Sequence, residues 1–228
     1  MSASPRQRVL VVDDETQILR ALRVILRDAG FEAVPAGSAE EALDLVAVRP
    51  PEAAIIDLVL PDLDGIELCR RLREWSEMPL IVLSAVGDED AKVRALAAGA
   101  DDYVTKPFGP RELVARLQAN LRRIDPEPEE ALISAQGLVV DLAARTVHRG
   151  AEEVHLTPTE FDLLRLLARN RGRLMTHRDL LVSVWGAGYG DDTQVLRAHI
   201  ANLRRKIEPA GAPKYIKTDP GVGYRFAG

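Results

Sequence analysis

A single cysteine, Cys69, stands among the 228 residues, so no internal disulfide can form. Structural disulfides belong to oxidising compartments, and a chain without them fits a reducing one. Cys69 shares helical spacing with Ile66 and Leu72, which gives it a packing role. Long apolar runs are missing as well. None approaches the ~20 residues that a membrane-spanning helix needs, and Met1 to Arg8 lacks the apolar centre of a secretion signal. A cytoplasmic protein with no membrane partner is therefore expected. The chain also lacks a large net charge, at −5 overall, but the charge is unevenly spread. Residues 1–124 carry 16 basic against 21 acidic residues, whereas residues 131–228 carry 14 against 10. An acidic first half and a basic second half imply two domains with different partners, the second partner polyanionic.

What is present in the first half is a five-fold alternation of strand and helix patterns. Arg8 to Val12 reads as a strand that stops at Asp13 and Asp14. Ile18, Leu19, Leu22, Ile25 and Leu26 follow at helical spacing up to Gly30. Phe31 to Val34 is a weaker strand, and Ser38 with Glu41 makes a capping box for the next helix. Ala53-Ala54-Ile55-Ile56-Asp57 is an apolar run ending on a carboxylate, broken afterwards by Pro61 and Gly65. Strands at Pro79–Ser84 and Asp102–Val104, with helices at 66–72, 88–98 and 110–123, complete the set. This order predicts a doubly wound parallel sheet of five strands in an α/β domain. Right-handed crossovers bring the strand carboxyl ends to one edge, where such sheets place their chemistry. Asp13, Asp14, Asp57, Ser84 and Lys106 all fall at that edge. Three clustered carboxylates need a cation, and all-oxygen ligands suit a hard one such as Mg²⁺. A carboxylate can also accept a phosphoryl group, with the metal and a lysine neutralising its charge.

Asp13-Asp14, Asp57 with its Leu-Pro-Asp-Leu-Asp-Gly tail, Ser84-Ala85 and Thr105-Lys106-Pro107-Phe108 match a known pattern in order and spacing. On them, residues 8–124 resemble a response-regulator receiver domain with a flavodoxin-like fold. The resemblance implies that Asp57 is the phosphoacceptor, modified by a sensor histidine kinase. It implies a Mg²⁺ site made by Asp14, Asp57 and the Val59 carbonyl, with Asp13 acting through water. Ser84 and Lys106 would bind the phosphoryl oxygens, and Tyr103 would be the aromatic switch. The segment from Ala100 to Arg116 resembles the OmpR/PhoB subgroup, whose phosphorylated receivers form homodimers. Carried over by position, the intersubunit pairs are Lys92 with Glu112, Asp101 with Arg116 and Asp102 with Arg123, around an apolar centre of Val93, Leu96 and Val114. Exposed pairs contribute only ~0–1 kcal/mol each, so they would fix register more than affinity.

Residues 125–130 hold two prolines and four acids, which marks a linker between a domain at 1–124 and another at 131–228. The second domain opens with short alternating runs that read as a small antiparallel sheet. Thr157-Pro158-Thr159-Glu160 starts a helix with Phe161, Leu164, Leu167 and Ala168 on its core face. Thr176 and Asp179 cap a second helix ending at Trp185-Gly186. A third runs from about Asp192 to Ile207 with a buried stripe at Leu196, Ile200, Leu203 and Ile207. Asp219-Pro220-Gly221 then turns a hairpin. Residues 193–225 hold seven basic residues and two acids, as a major-groove helix beside a backbone-reading wing would.

Leu156 to Phe161, Val184-Trp185-Gly186, His199 to Lys206 and Gly221 to Phe226 resemble the α+β winged-helix effector domain of the OmpR/PhoB response regulators. Ile18 to Leu22 and Leu196-Arg197 are most similar to the branch that controls potassium transport. The resemblance implies a transcription factor that binds promoter DNA and works with RNA polymerase. It assigns base-edge contacts to Gln194, Arg197, Ala201 and Asn202, and phosphate contacts to Arg204, Arg205, Lys214 and Lys217, with Arg225 as a further DNA contact. His199 has no second metal ligand at suitable spacing and is assigned to packing or to phosphate. Pro220 stands where many members carry a wing-tip arginine. The competing readings are a Mg²⁺-dependent aspartyl-phosphate phosphatase or phosphotransferase, an RNA-binding or protein-docking output, or a family member serving another pathway. A phosphatase would need an acid/base Asp shortly after the nucleophile, and the residue two positions on is Val59. A regulator rather than an enzyme is therefore expected.

Overall fold

The computed structural model describes residues 6–85, 89–121, 132–186, 189, 192–209, 211 and 214–227. The chain divides into two compact units, Met1–Leu121 and Arg122–Gly228. The linker expected at 125–130 lies outside the described residues, as does Arg123.

The first unit alternates β1 (Arg8–Val12), α1 (Thr16–Asp28), β2 (Glu32–Ala36), α2 (Ala39–Val48), β3 (Ala53–Asp57), α3 (Gly65–Arg73), β4 (Leu80–Ala85), α4 (Glu89–Ala97), β5 (Asp102–Lys106) and α5 (Pro110–Leu121). Its strands are all parallel, in the order β2-β1-β3-β4-β5. This is the expected doubly wound sheet. Strand order reverses at β1, which puts the ends of β1 and β3 side by side at the switch point. Central strands are buried on both faces: Val9 to Val12, Ala53 to Ile56 and Leu80 to Leu83 are all solvent-inaccessible or nearly so. Removing each such Val, Leu or Ile side chain from water contributes ~1.5–3 kcal/mol, which is why these runs are apolar without alternation. β2 extends two residues past the expected strand and includes Pro35, which an edge strand tolerates. α1 ends at Gly30 with φ +90°, the left-handed geometry expected there.

The second unit opens with an antiparallel sheet of β6 (Leu132–Ala135), β7 (Leu138–Asp141), β8 (Thr146–Arg149) and β9 (Glu152–Glu153). Then come α6 (Pro158–Arg169), β10 (Leu174–Thr176), α7 (His177–Trp185), α8 (Thr193–Ile207), β11 (Ile216–Asp219) and β12 (Gly223–Phe226). Capping boxes start α6 (Thr157 with Glu160) and α7 (Thr176 with Asp179). The β11–β12 hairpin gains β10 as a third strand, in the order β10-β12-β11. Gly223 permits this pairing, because a Cβ there would lie 1.9 Å from the Met175 carbonyl oxygen. The expected α8 stripe is buried and widened by Val195, His199 and Asn202. His199 packs its ring 5.4 Å from that of Trp185. Among the described residues, no helix is long and apolar enough to cross a membrane.

Candidate functional site

Asp13 and Asp14 follow β1, and Asp57 is the last residue of β3, so adjacent strands deliver all three carboxylates to one edge. Their nearest oxygens lie within 4.8 Å of one another. Asp13 is fully buried and accepts from the Glu15 N–H (2.9 Å) through Oδ1. Asp14 is exposed, and Asp57 is 8% exposed. Lys106, at the end of β5, reaches into the cluster: its Nζ donates to Asp13 Oδ2 at 2.9 Å and lies 3.0 Å from Asp57 Oδ2. Burial pushes the Asp57 carboxyl above its usual value, outweighing the hydrogen bond and attraction from Lys106. Burial also opposes the lysine's charge, yet its bonds to Asp13 and Asp57 carry its pKa above the ordinary lysine value. Three carboxylates thus share this edge with one ammonium.

A divalent cation fits this donor set. Hard carboxylate oxygens converge from two strands, one of them on an exposed residue that leaves the site open to solvent. Ser84, at the matching end of β4, is buried, and its Oγ has no hydrogen-bond partner among the described residues. A buried hydroxyl without a partner is costly, and a phosphoryl oxygen arriving at this edge would satisfy it. Gly65, opening α3, is required where it stands, because a Cβ there would lie 2.1 Å from the Asp57 carbonyl oxygen. Tyr103 is buried on β5, with Lys92 Nζ 4.8 Å from its ring centre.

The expected dimer residues are placed differently from the carry-over. Asp101 and Asp102 are buried within the chain. Asp101 is hydrogen-bonded by Arg73 and by the Leu80 N–H (2.9 Å), while Asp102 pairs with Arg116 at 3.2 Å. Arg116 also pairs with Glu112 at 2.9 Å. Within one chain, then, Asp101 is engaged by Arg73 of α3, and Arg116 by Asp102 and Glu112. Leu96 is 0% exposed and belongs to the core. Val93 is exposed and Val114 half-buried, so those two keep the apolar surface. Lys92 is buried, close to Tyr103.

On the second unit, Arg197, Ala201 and Arg205 are exposed on α8 at steps of four, which makes one continuous face. Gln194 is half-buried at the start of α8. Asn202 is 5% exposed and turned into the domain, so a base-edge contact does not fit its position. Arg204 also departs from expectation. Its Nη2 donates to the Ile216 carbonyl and to Thr218 Oγ1, both at 2.8 Å, and its guanidinium lies 5.7 Å from the Tyr224 ring centre. It fastens α8 to the β11–β12 hairpin. Glu208 adds a second fastening by accepting from the Ile216 N–H at 2.7 Å. Arg225 donates to the Gly172 carbonyl (3.1 Å) and approaches Asp219 at 3.4 Å. Lys214 and Lys217 are exposed, with Lys214 3.8 Å from Glu208.

Sequence reasoning missed Arg73, whose guanidinium joins α3 to the segment before β4 and to the α4–β5 turn, and it gave no role to Asp62. Nothing local distinguishes Arg73 from Arg70 and Arg71. Two of its four partners, Gly99 and Asp101, lie 26 and 28 residues away.

Comparison with known proteins bears on both units. Residues 9–118 match the family model described as the response regulator receiver domain, and residues 151–226 match that of the transcriptional regulatory protein C terminus. The chain is 49% identical over 221 residues to the transcriptional regulatory protein KdpE of Mycobacterium tuberculosis (strain ATCC 25618 / H37Rv), covering 96% of this chain and 98% of that protein. It is 48% identical over 223 residues to the KDP operon transcriptional regulatory protein KdpE of Escherichia coli (strain K12), with the same shares covered. A solved structure of a RitR mutant matches with a TM-score of 0.78 at 26% identity, covering 97% of this chain and all of that one.

Proposed function

The chain belongs to the two-component response regulators that join a receiver domain to a DNA-binding transcriptional domain, and from that membership we propose how its own residues carry the signal. Asp57 accepts a phosphoryl group from the phosphohistidine of a sensor histidine kinase. One carboxylate oxygen forms the new P–O bond as the P–N bond breaks and the electron pair leaves to the imidazole. The observation that carries this reading is the convergence of Asp13, Asp14, Asp57 and Lys106 at one sheet edge, where the Ser84 hydroxyl has no hydrogen-bond partner among the described residues. Mg²⁺, held by Asp13, Asp14, Asp57 and the Val59 carbonyl, would supply charge neutralisation for the transferring group. Lys106 is already positioned between two carboxylates and binds a phosphoryl oxygen, while Ser84 donates its hydroxyl to another. Both interactions strengthen as the group becomes covalently attached, which favours the conformation that dimerises.

The phosphorylated receiver forms a homodimer through the face of α4, β5 and α5, with Val93 and Val114 at its apolar centre and the exposed Glu112 of α5 among its charged residues. Linking two winged helices then raises affinity for promoter DNA through effective concentration. Arg197, Ala201 and Arg205 face the major groove, while Lys214 and Lys217 bind phosphate. The DNA-bound dimer acts on RNA polymerase, and potassium-transport genes are the proposed targets, on the strength of the KdpE relatives. The position two residues after Asp57 is Val59, which supplies no acid or base for rapid turnover. That supports a switch over a phosphatase.

The test is phosphoryl transfer from a labelled histidine kinase to the full chain and to Asp57→Asn. Incorporation into the wild-type protein alone is expected, and undiminished labelling of the variant would overturn the assignment. Selection of genomic fragments with and without beryllofluoride tests the targets. Enrichment of a potassium-transport promoter is expected, and enrichment of unrelated promoters alone would reject that pathway.

A further inference from the structure

The loop from Leu58 to Asp64 follows the phosphoacceptor and carries Val59. One of its residues makes contacts that the proposed chemistry does not use. Asp62 is exposed, yet both its oxygens are engaged: Oδ1 accepts from the Ala39 N–H at 3.0 Å and Oδ2 from the Glu40 N–H at 2.9 Å. These are the first two amides of α2, which cannot bond within their own helix. The third, Glu41, donates to Ser38 Oγ at 3.2 Å, and the Glu41 carboxylate accepts from the Gly37 N–H at 2.7 Å. Two caps therefore share one helix end. Ser38 is local, whereas Asp62 comes from a loop 22 residues further along the chain. The two amide bonds hold the Asp62 carboxyl below the usual carboxylate range, so it stays ionised at neutral pH.

These bonds link the segments that carry the carboxylate cluster. The Asp13 N–H donates to the Ala36 carbonyl at 3.1 Å, which ties the metal-binding end of β1 to the segment just before α2. Asp62 ties the start of α2 to the β3–α3 loop. The Gly65 N–H donates to the Leu58 carbonyl at 2.9 Å and closes that loop at its base, and the Leu58 N–H donates to Leu83 at 3.3 Å. The loop is therefore fixed at its base and at Asp62. Among the hydrogen bonds of the described residues, loss of Asp62 would leave the stretch containing Val59 only those at its base, beside the partial burial of Leu58, Leu60 and Leu63. Val59 itself is exposed and contributes no packing to hold its peptide in place.

We propose that Asp62 is a positioning residue of the metal site. By bonding the first two amides of α2, it holds the loop that carries the Val59 carbonyl in register with Asp13, Asp14 and Asp57. This rests on the reading of that cluster as a Mg²⁺ site. Outer contacts that orient a metal's ligands govern affinity strongly, typically by 10–100-fold.

The experiment compares the full-length wild type with Asp62→Ala, Asp62→Asn and Ser38→Ala, using Mg²⁺ titration by calorimetry and hydrogen exchange of residues 58–64 without metal. Ser38→Ala removes a cap from the same helix end and leaves the loop untouched. Asp62→Asn removes the charge but keeps one acceptor. Asp62→Ala should weaken Mg²⁺ binding about ten-fold and speed exchange across the loop. Ser38→Ala should leave both unchanged, and Asp62→Asn should fall between Asp62→Ala and the wild type. Equal weakening by Ser38→Ala would make helix stability the cause and overturn the proposal. An Asn variant as weak as the Ala variant would make charge the cause, with the same result. Wild-type affinity in Asp62→Ala would sink the tether alone, whereas a wild type that binds no Mg²⁺ would sink the metal-site reading and the tether with it.

Discussion

Replacing Arg73 by alanine removes one side chain that serves four acceptors. Its Nε donates to the Gly99 carbonyl at 2.7 Å, its Nη1 to the Ser76 and Met78 carbonyls at 3.1 and 2.6 Å, and its Nη2 to Asp101. The guanidinium side chain is 11% exposed and the Asp101 side chain 0%. Breaking a buried pair from one side costs ~3–5 kcal/mol, because the remaining charge stays desolvated and poorly compensated. The three carbonyls add less, since water can enter the space the side chain vacates. A lysine cannot reproduce the planar fork, so Arg73→Lys should lose roughly half as much as alanine. With a urea slope of ~2 kcal/mol/M, the alanine variant's midpoint should fall by about 1.5–2.5 M. Urea unfolding of the full chain, read by pulsed hydrogen exchange in β4, measures this, with α8 as internal control. The β4 transition should move while the α8 transition stays. The double variant Arg73→Met with Asp101→Asn, which removes both charges, should recover most of the loss. A β4 shift under about 0.5 M in Arg73→Ala, or a double variant worse than the single one, would refute the reasoning.

Other expectations follow from single contacts. Gly65→Ala must push the Asp57–Leu58 backbone aside, so it should cost ~1–3 kcal/mol and slow phosphoryl uptake from a small-molecule donor; an unchanged rate would show that the backbone yields without moving the carboxylate. Arg204→Ala should weaken DNA binding while leaving the salt slope nearly intact, whereas Lys217→Ala should lower the slope by about one; the two slopes measured side by side decide which residue meets phosphate. Burial and then Arg197 hold the His177 pKa below the usual 6.5, so the unfolded chain takes up a proton first as the pH falls. Stability from this group is present above pH 6.5 and lost as the pH falls through the folded-state value, and His177→Gln should flatten that part of the stability–pH curve. Burial pushes the Cys69 thiol up to about 12, so Ellman's reagent should label it only after unfolding.

The parallel sheet was legible in the sequence because a strand buried on both faces must be an uninterrupted apolar run, and β1, β3 and β4 are such runs. The edge strand β2 was shorter in expectation because Pro35 reads as a break unless its edge position is known. Strand-end carboxylates were legible for a related reason: a charge that terminates a buried strand leaves the core at a fixed place. β10 has only three residues and takes its identity from pairing with β12, so it left no periodic signal. Asn202 was misplaced because the buried stripe of α8 is wider than four leucines and isoleucines indicate. The intrachain partners of Asp101 and Arg204 escaped the sequence for a common reason. Each is satisfied by a group distant in sequence, and charge alone does not reveal whether its partner lies in the same chain or in another molecule.

The double fastening of α8 to the hairpin constrains the DNA as well as the protein. Arg204 and Glu208 grip the two sides of one peptide segment, since both the carbonyl and the amide of Ile216 are taken. A reading head built this way cannot adjust the offset between its helix and its wing to suit each site. The duplex must supply the matching groove width and local bend, and sequences that deform easily will do so at lower cost. With helix and wing both on the DNA as proposed, base pairs between their contacts are expected to matter through their stiffness. Operators for this protein should share a pattern of flexibility at those positions even where their letters differ.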